Sequence, residues 1–148
     1  MEVDRNGLEV LDTDECVRLL RTRSVGRIGI SSRALPTILP VEYLVAQGHV
    51  LFRTGLGTRL DVATRDAVVA FEVDEFDDAS NSGWSVVVTG VAGSWPEGAG
   101  LPAGPAELAR LRRWDAAADE HLVAIPLDRV SGRRIRPPVG GGRADPVT

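Results

Sequence analysis

Val50-Leu51-Phe52-Arg53-Thr54-Gly55-Leu56-Gly57-Thr58-Arg59-Leu60 opens with three β-favouring apolar residues, turns polar at Arg-Thr, crosses two glycines and resumes at Thr-Arg-Leu. That order reads as a strand, a tight loop and the start of a helix. It gathers two guanidinium groups, two hydroxyls and backbone N–H donors into one small volume, which is the donor set a phosphate monoester requires. An ordinary β-to-α connection with a threonine cap uses the same residues, so the local pattern leaves both readings open. Spacing excludes two better-known phosphate loops. A dinucleotide fingerprint beginning at Gly55 needs glycine where Leu60 stands, and no Gly-Lys-Ser/Thr follows to make a P-loop.

Outward from this stretch, Thr58 to Arg65 reads as a short helix and Ala67 to Glu75 as a strongly apolar strand. Upstream, Ala46 to His49 is a hairpin turn into the central strand. Pro36 to Val45 is a strand interrupted by Pro40; proline removes a ladder donor and so belongs at an edge or a bulge, where neighbouring backbone groups stay free. Val25 to Ser31 is a further strand, with Ile28 and Ile30 alternating against Arg27 and Gly29. Leu11 to Cys16 reads as a helix entry: Asp12 is the N-cap, Glu15 closes a capping box, and Leu11 with Cys16 forms a hydrophobic staple. Cys16 therefore reads as packing rather than as a nucleophile.

Beyond an Asp/Ser/Asn-rich loop ending near Gly83, Trp84 to Trp95 is a long β-branched strand, with Gly90 and Gly93 where a coiled strand bends. A Pro/Gly-rich loop follows, and Pro105 opens a helix carrying Leu108, Leu111 and Trp114 on one face. A last strand from His121 to Leu127 leads into the arginine-rich segment ending at Arg136. The fold class is mainly β with peripheral helices, a six-stranded antiparallel barrel. Residues 1–10 read as a flexible N-terminus, 11–136 as the barrel domain and 137–148 as a disordered tail.

At 148 residues the chain makes one domain, able to bury roughly 70% of its unfolded surface without metal or disulfide. A net charge of −4 argues against a nucleic-acid binder, because phosphate-backbone affinity comes from massed positive charge. Trp84, Trp95 and Trp114 are too dispersed for a base-stacking platform. All 17 basic side chains are arginine, which removes Schiff-base lysine chemistry. A single cysteine, no basic-then-apolar leader and no apolar run near 18 residues give a soluble, cytoplasmic protein as the expectation, with no membrane contact. His49 and His121 lack a second ligand type at metal spacing, and the acidic run from Glu72 to Asp78 reads as a solvated strand end; no metal site is expected.

Taken together, the segments resemble the pyridoxamine 5′-phosphate oxidase-like family of FMN-binding split β-barrels, in its short bacterial branch. The resemblance rests on Leu19-Leu20 with Val25-Gly26-Arg27-Ile28-Gly29, on Pro36 through Pro40-Val41-Glu42-Tyr43, on Phe52-Arg53-Thr54-Gly55 with Thr58-Arg59-Leu60, and on Phe71-Glu72-Val73-Asp74 with Gly83-Trp84-Ser85 and the strand to Gly90. It implies a homodimer with two flavin sites at the interface, and FMN as cofactor. Arg53, Thr54, Thr58 and Arg59 would hold the phosphate, the ring would lie along Pro40 and Val41, and Trp84 and Ser85 would reach towards the ring or close the site, in one arrangement from the partner subunit. The family commonly has lysine where Arg59 stands; arginine keeps the charge and changes the donor geometry.

The function so implied is a flavin-dependent oxidoreductase that passes a hydride or electrons to a small-molecule substrate, with no catalytic side chain assigned. One alternative is the deazaflavin F420 in the same barrel, its acidic tail calling for a basic groove from Arg21, Arg23 and Arg27. The other is a non-catalytic flavin or haem carrier or sensor. The Arg-Ile-Arg-Pro near residue 136 is loosely similar to a motif that helps bind pyridoxal phosphate in the true oxidases, whose longer carboxyl-terminal segment is absent, so pyridoxamine phosphate is not the expected substrate.

Overall fold

A computed structural model of the chain describes residues 1–136. The expected tail at 137–148 lies outside the described residues. Seven long strands carry the architecture: β3 (Val25–Ser32), β4 (Leu35–Glu42), β6 (His49–Gly55), β7 (Ala67–Asp77), β8 (Ser82–Ser94), β9 (Glu120–Pro126) and β10 (Arg129–Ile135). Three short ones, β1 (Glu2–Val3), β2 (Glu9–Val10) and β5 (Leu44–Ala46), and three helices, α1 (Thr13–Leu20), α2 (Arg59–Ala63) and α3 (Pro105–Ala109), complete it.

Every strand pairing is antiparallel. The larger layer runs β1-β2-β10-β8-β7-β3-β4, and β5-β6-β9 forms the smaller one. Strand β8 belongs to both: it pairs with β7 as far as Ala92 and with β9 at Gly93 and Ser94. Small residues there let the strand coil from one layer to the other without a side chain in the way. This is the expected split barrel with peripheral helices, with seven long strands among the described residues where six were expected.

Alternation builds the core. Ile28 and Ile30, then Val69, Phe71 and Val73, then Trp84, Val86 and Val88 are buried on one face of the larger layer. In the smaller layer Val50, Leu51 and Phe52, and Val123, Ala124 and Ile125, are buried consecutively, because β6 and β9 are covered on both sides. Register partners Leu51 and Ala124 face the side on which Arg53 Nη2 donates to Leu108 O at 2.9 Å, beside α3.

Asp12 caps α1 as expected, accepting from Glu15 N at 2.8 Å, and Leu11 and Cys16 are buried together. The capping box does not close: Glu15 instead pairs with Arg18 at 2.7 Å and Arg134 at 2.8 Å. Three further expectations are corrected. The strand interrupted by Pro40 divides into β4 and β5 at Tyr43, whose hydroxyl donates to Leu20 O at the end of α1. Residues 1–10 form a hairpin laid on β10, its turn held by Asp4 accepting from Asn6 N and Leu8 N. The arginine-rich segment is itself a strand, β10, paired with β8 over seven residues. Its arginines fasten the amino terminus: Arg133 to Asp4 at 2.9 Å, Arg134 to Glu15, and Arg136 to Glu9 at 2.6 Å.

Candidate functional site

Among the described residues strand β4 pairs only with β3, so Pro40 sits on an edge strand, opposite Arg27. Against that edge lies a cavity of about 530 Å³. From β4 it takes Leu39, Pro40 and Val41; from β6 it takes Arg53; and Thr58, Arg59 and Leu60 come from the start of α2. The segment Arg112–Asp115, after α3, closes the remaining side. The volume is that of a small-molecule site. One end is apolar, with Leu39, Pro40, Val41, Leu60 and Trp114; the other is rich in guanidinium groups.

Those guanidinium groups differ in how far they are committed. Arg53 donates to Glu120 at 2.7 Å and to Leu108 O, and Arg113 is bound to Asp115 at 2.6 Å and Glu120 at 2.9 Å. Arg112 reaches Glu42 at 2.9 Å with most of its side chain in water. Arg59 is exposed and has no ion-pair partner among the described residues. It is the cation most available to an incoming anion, with Arg53 fixed in place beside it.

The loop before α2 is more tightly determined than its sequence suggests. Gly55 N donates to Asp115 at 3.1 Å, Leu56 N to Asp119 O at 2.9 Å, Gly57 N to Asp61 at 2.7 Å and Thr58 N to Gly55 O at 3.3 Å. The amides of Gly55 to Thr58, expected to be open, are thus taken within the chain. Both glycines are required: a side chain at Gly55 would overlap Asp115 and Ala117, and Gly57 has φ +83. Thr58 is the N-cap of α2, accepting from Asp61 N at 3.1 Å and donating to Gly55 O at 2.8 Å. Thr54 is fully buried, 3.2 Å from Thr58 Oγ1, and donates to it. Thr54 therefore positions Thr58 and does not line the cavity.

Beneath the loop lies the fully buried carboxylate of Asp61, which the sequence did not single out. It accepts from Gly57 N, from Arg65 at 2.6 Å and from His121 Nε2 at 2.7 Å. Burial alone would push this carboxyl up; the Arg65 guanidinium, the Gly57 N–H and His121 outweigh that and hold it at about 2. With Asp61 ionised, His121 Nε2–H donates to it, and Nδ1 of the same ring lies 2.9 Å from Ser94 Oγ. Asp61 therefore ties the loop to β9 and, through His121, to β8.

Of the residues expected at the site, Pro40, Val41, Arg53, Thr58 and Arg59 converge on one cavity. Trp84 and Ser85 do not join them within one chain: Trp84 is buried in the core, and both pair with β10 on the larger layer. The two tryptophans exchange their expected places. Trp114, expected in the core on a helix face, lies beyond the end of α3, 57% exposed, and lines the cavity. Arg112 and Arg113 were missed as well; the basic Arg110-Leu-Arg-Arg-Trp run was the available signal. The basic groove expected from Arg21, Arg23 and Arg27 does not form. Arg21 donates to Val45 O, Arg23 pairs with Glu75, and Arg27 faces Glu72 and Asp74.

Among the described residues no group of three metal-ligating side chains could hold an ion, and no helix is long and apolar enough to cross a membrane. Comparison with known proteins matches residues 12–134 to the family described as pyridoxamine 5′-phosphate oxidase. Uncharacterized protein Rv0080 of Mycobacterium tuberculosis is 40% identical over 134 residues, covering 84% of each chain. The solved structure of the FAD binding protein from Mycobacterium smegmatis superposes with a TM-score of 0.71 at 34% identity, covering 86% of this chain and 100% of that one. A FAD and heme binding protein from the same organism shares the fold alone, with a TM-score of 0.63 at 15% identity, over 82% of this chain and 70% of that one.

Proposed function

The chain belongs to the pyridoxamine 5′-phosphate oxidase family, and from that premise we propose that it binds a flavin in the cavity between β4 and α2 and uses it as an oxidoreductase on a small molecule. The observation that carries this reading is the division of one cavity into an apolar end on an edge strand and a guanidinium-rich end beside Thr58. A flavin presents the matching halves, a flat ring with polar edges and a phosphate dianion. Arg59 and Arg53 are the phosphate donors in this reading, with the Thr58 hydroxyl beside them. Leu39, Pro40 and Val41 face the ring, and the unpaired edge of β4 offers it backbone groups. When bound, the flavin supplies the hydride or electron chemistry; the apolar end contributes no acid or base and limits the access of water.

The smallest flavin that fits this description is FMN, and the FAD bound by the M. smegmatis relative contains the same mononucleotide half. The F420 reading loses its support once Arg21, Arg23 and Arg27 are committed elsewhere. The working form in this proposal is a homodimer in the cytoplasm. Its interface would be the outer face of β4, β3, β7 and β8, where Ile38, Val68 and Val91 are 71%, 68% and 52% exposed. In such a dimer, residues such as Trp84 and Ser85 would act on the partner's cofactor if at all.

The test is titration of the full chain with FMN, followed by absorbance, in the native protein and in the Arg53→Ala/Arg59→Ala double variant. Two charge-assisted contacts of ~1.5–3 kcal/mol each give an expected loss of at least about a hundredfold in affinity. Unchanged affinity would remove Arg53 and Arg59 as the phosphate donors. A bound flavin that neither a nicotinamide nor a deazaflavin donor reduces would turn the reading from enzyme to carrier.

A further inference from the structure

On the far side of Arg59 a second groove, of about 710 Å³, opens between the β3–β4 turn and α2, and it shares Thr58 and Arg59 with the first cavity. Ser31, Ser32, Arg33 and Thr37 supply its polar wall. Leu35 and Val62, 69% and 57% exposed, supply an apolar one. No carboxylate is among the described residues lining it, in a chain where acidic residues outnumber basic ones 21 to 17. Like Arg59, Arg33 has no ion-pair partner among the described residues. Two uncommitted guanidinium groups, three hydroxyls and two exposed aliphatic side chains are the surface of a site for an anion attached to a ring.

The groove adjoins the first cavity through Thr58 and Arg59, which line both and would hold a mononucleotide phosphate, so a ligand extending past that phosphate reaches it. We propose that this groove holds the adenylate half of a flavin dinucleotide, its second phosphate met by Arg33 together with Arg59 and its base resting against Leu35 and Val62. The inference rests on the flavin reading of the first cavity and selects the dinucleotide over the mononucleotide. A deazaflavin tail, with several carboxylates and no ring, would leave the aliphatic wall without a partner and find only two cations.

Binding constants of FMN, FAD and F420 for the full chain decide it, measured by calorimetry on the native protein and on two variants. Arg33 has φ 54 in a two-residue turn, a conformation asparagine tolerates well, so Arg33→Asn removes the charge and spares the hairpin. Leu35→Asp sets a carboxylate at the aliphatic wall, on an exposed strand position outside the first cavity. The expected result is FAD at least tenfold tighter than FMN in the native chain, with each variant weakening FAD about tenfold and leaving FMN unchanged. Equal affinities for FAD and FMN, equal losses on both cofactors, or F420 binding tighter than FAD would overturn the assignment. FMN binding that depends on Arg53 and Arg59, with nothing gained from the adenylate, sinks only the groove. Failure of FMN and FAD alike to bind sinks the flavin reading and the groove with it.

Discussion

Between Gly55 and Thr58 each amide has an acceptor inside the chain, whereas along β4 one whole edge of backbone faces no other strand among the described residues. These two regions bound the same cavity. At the loop end, the buried carboxylate of Asp61, the exposed one of Asp115 and backbone carbonyls fix the backbone, so guanidinium positions are set before any ligand arrives. At the edge end, Pro36 and Pro40 remove donors and Leu35 and Ile38 stay exposed. Prolines discourage another chain from extending the sheet, so apolar side chains on the face of the layer are what remains to be covered. The polar half of the site is complete within one chain; the apolar half is left for a ligand or a second copy to finish.

The contrast breaks most severely at Asp61. Replacing it by alanine leaves Gly57 N, His121 and Arg65 without their shared acceptor; Arg65, 57% exposed, rehydrates, so the cost is that of the lost hydrogen bonds, about 1–3 kcal/mol. Asp61→Ala is expected to lower the urea midpoint accordingly and to raise amide exchange selectively at Gly57; a loop that keeps its protection would mean Asp61 does not hold it. At the other end, Ile38→Asp should act on assembly. The proposed homodimer is expected to weaken at least tenfold, or about 1.4 kcal/mol, in sedimentation experiments while monomer stability holds within about 0.5 kcal/mol. A dimer untouched by that charge would move the interface off this face.

The smallest expected effect concerns Glu72, on the same outer face and opposite Arg27. Burial raises its carboxyl, joined by its hydrogen bond and repulsion with Asp74, from an ordinary 4.5 to about 7. Because the group titrates higher folded than unfolded, the fold is penalised where it must ionise. Glu72→Gln should therefore stabilise the chain above pH 7 by on the order of 1 kcal/mol, given the side chain's partial exposure to solvent. The gain should shrink between pH 7 and 4.5 and vanish below. A gain that persists in acid would point to packing instead of charge.

Much of this was legible in the residues. Asp12 and Thr58 announce their helices because a cap is a local hydrogen bond between residues three apart. Strand β3 declares itself by alternation, β7 by its apolar run and β8 by its β-branched one, and the edge character of β4 follows from Pro40 alone. Strand β10 was hidden because Arg129–Ile135 has no apolar alternation; it is held by pairing with β8 and by ion pairs to residues more than a hundred positions away. The tryptophans misled for a related reason. Helical spacing joined Trp114 to Leu108 and Leu111, but α3 ends at Ala109 and the chain beyond it turns back to the cavity.

By itself the sequence determined the succession along the chain of the strands β3, β4, β6, β7, β8 and β9, the two helix caps at Asp12 and Thr58, and the closeness of Arg53, Thr58 and Arg59 on either side of one short loop, because those features depend on local periodicity and short-range hydrogen bonding. Only the tertiary structure decided which cations remain uncommitted. Arg21, Arg23 and Arg27 look as free as Arg33 and Arg59 in the sequence. Whether a guanidinium is neutralised depends on which carboxylate or carbonyl the folded sheets bring to it, often from far along the chain.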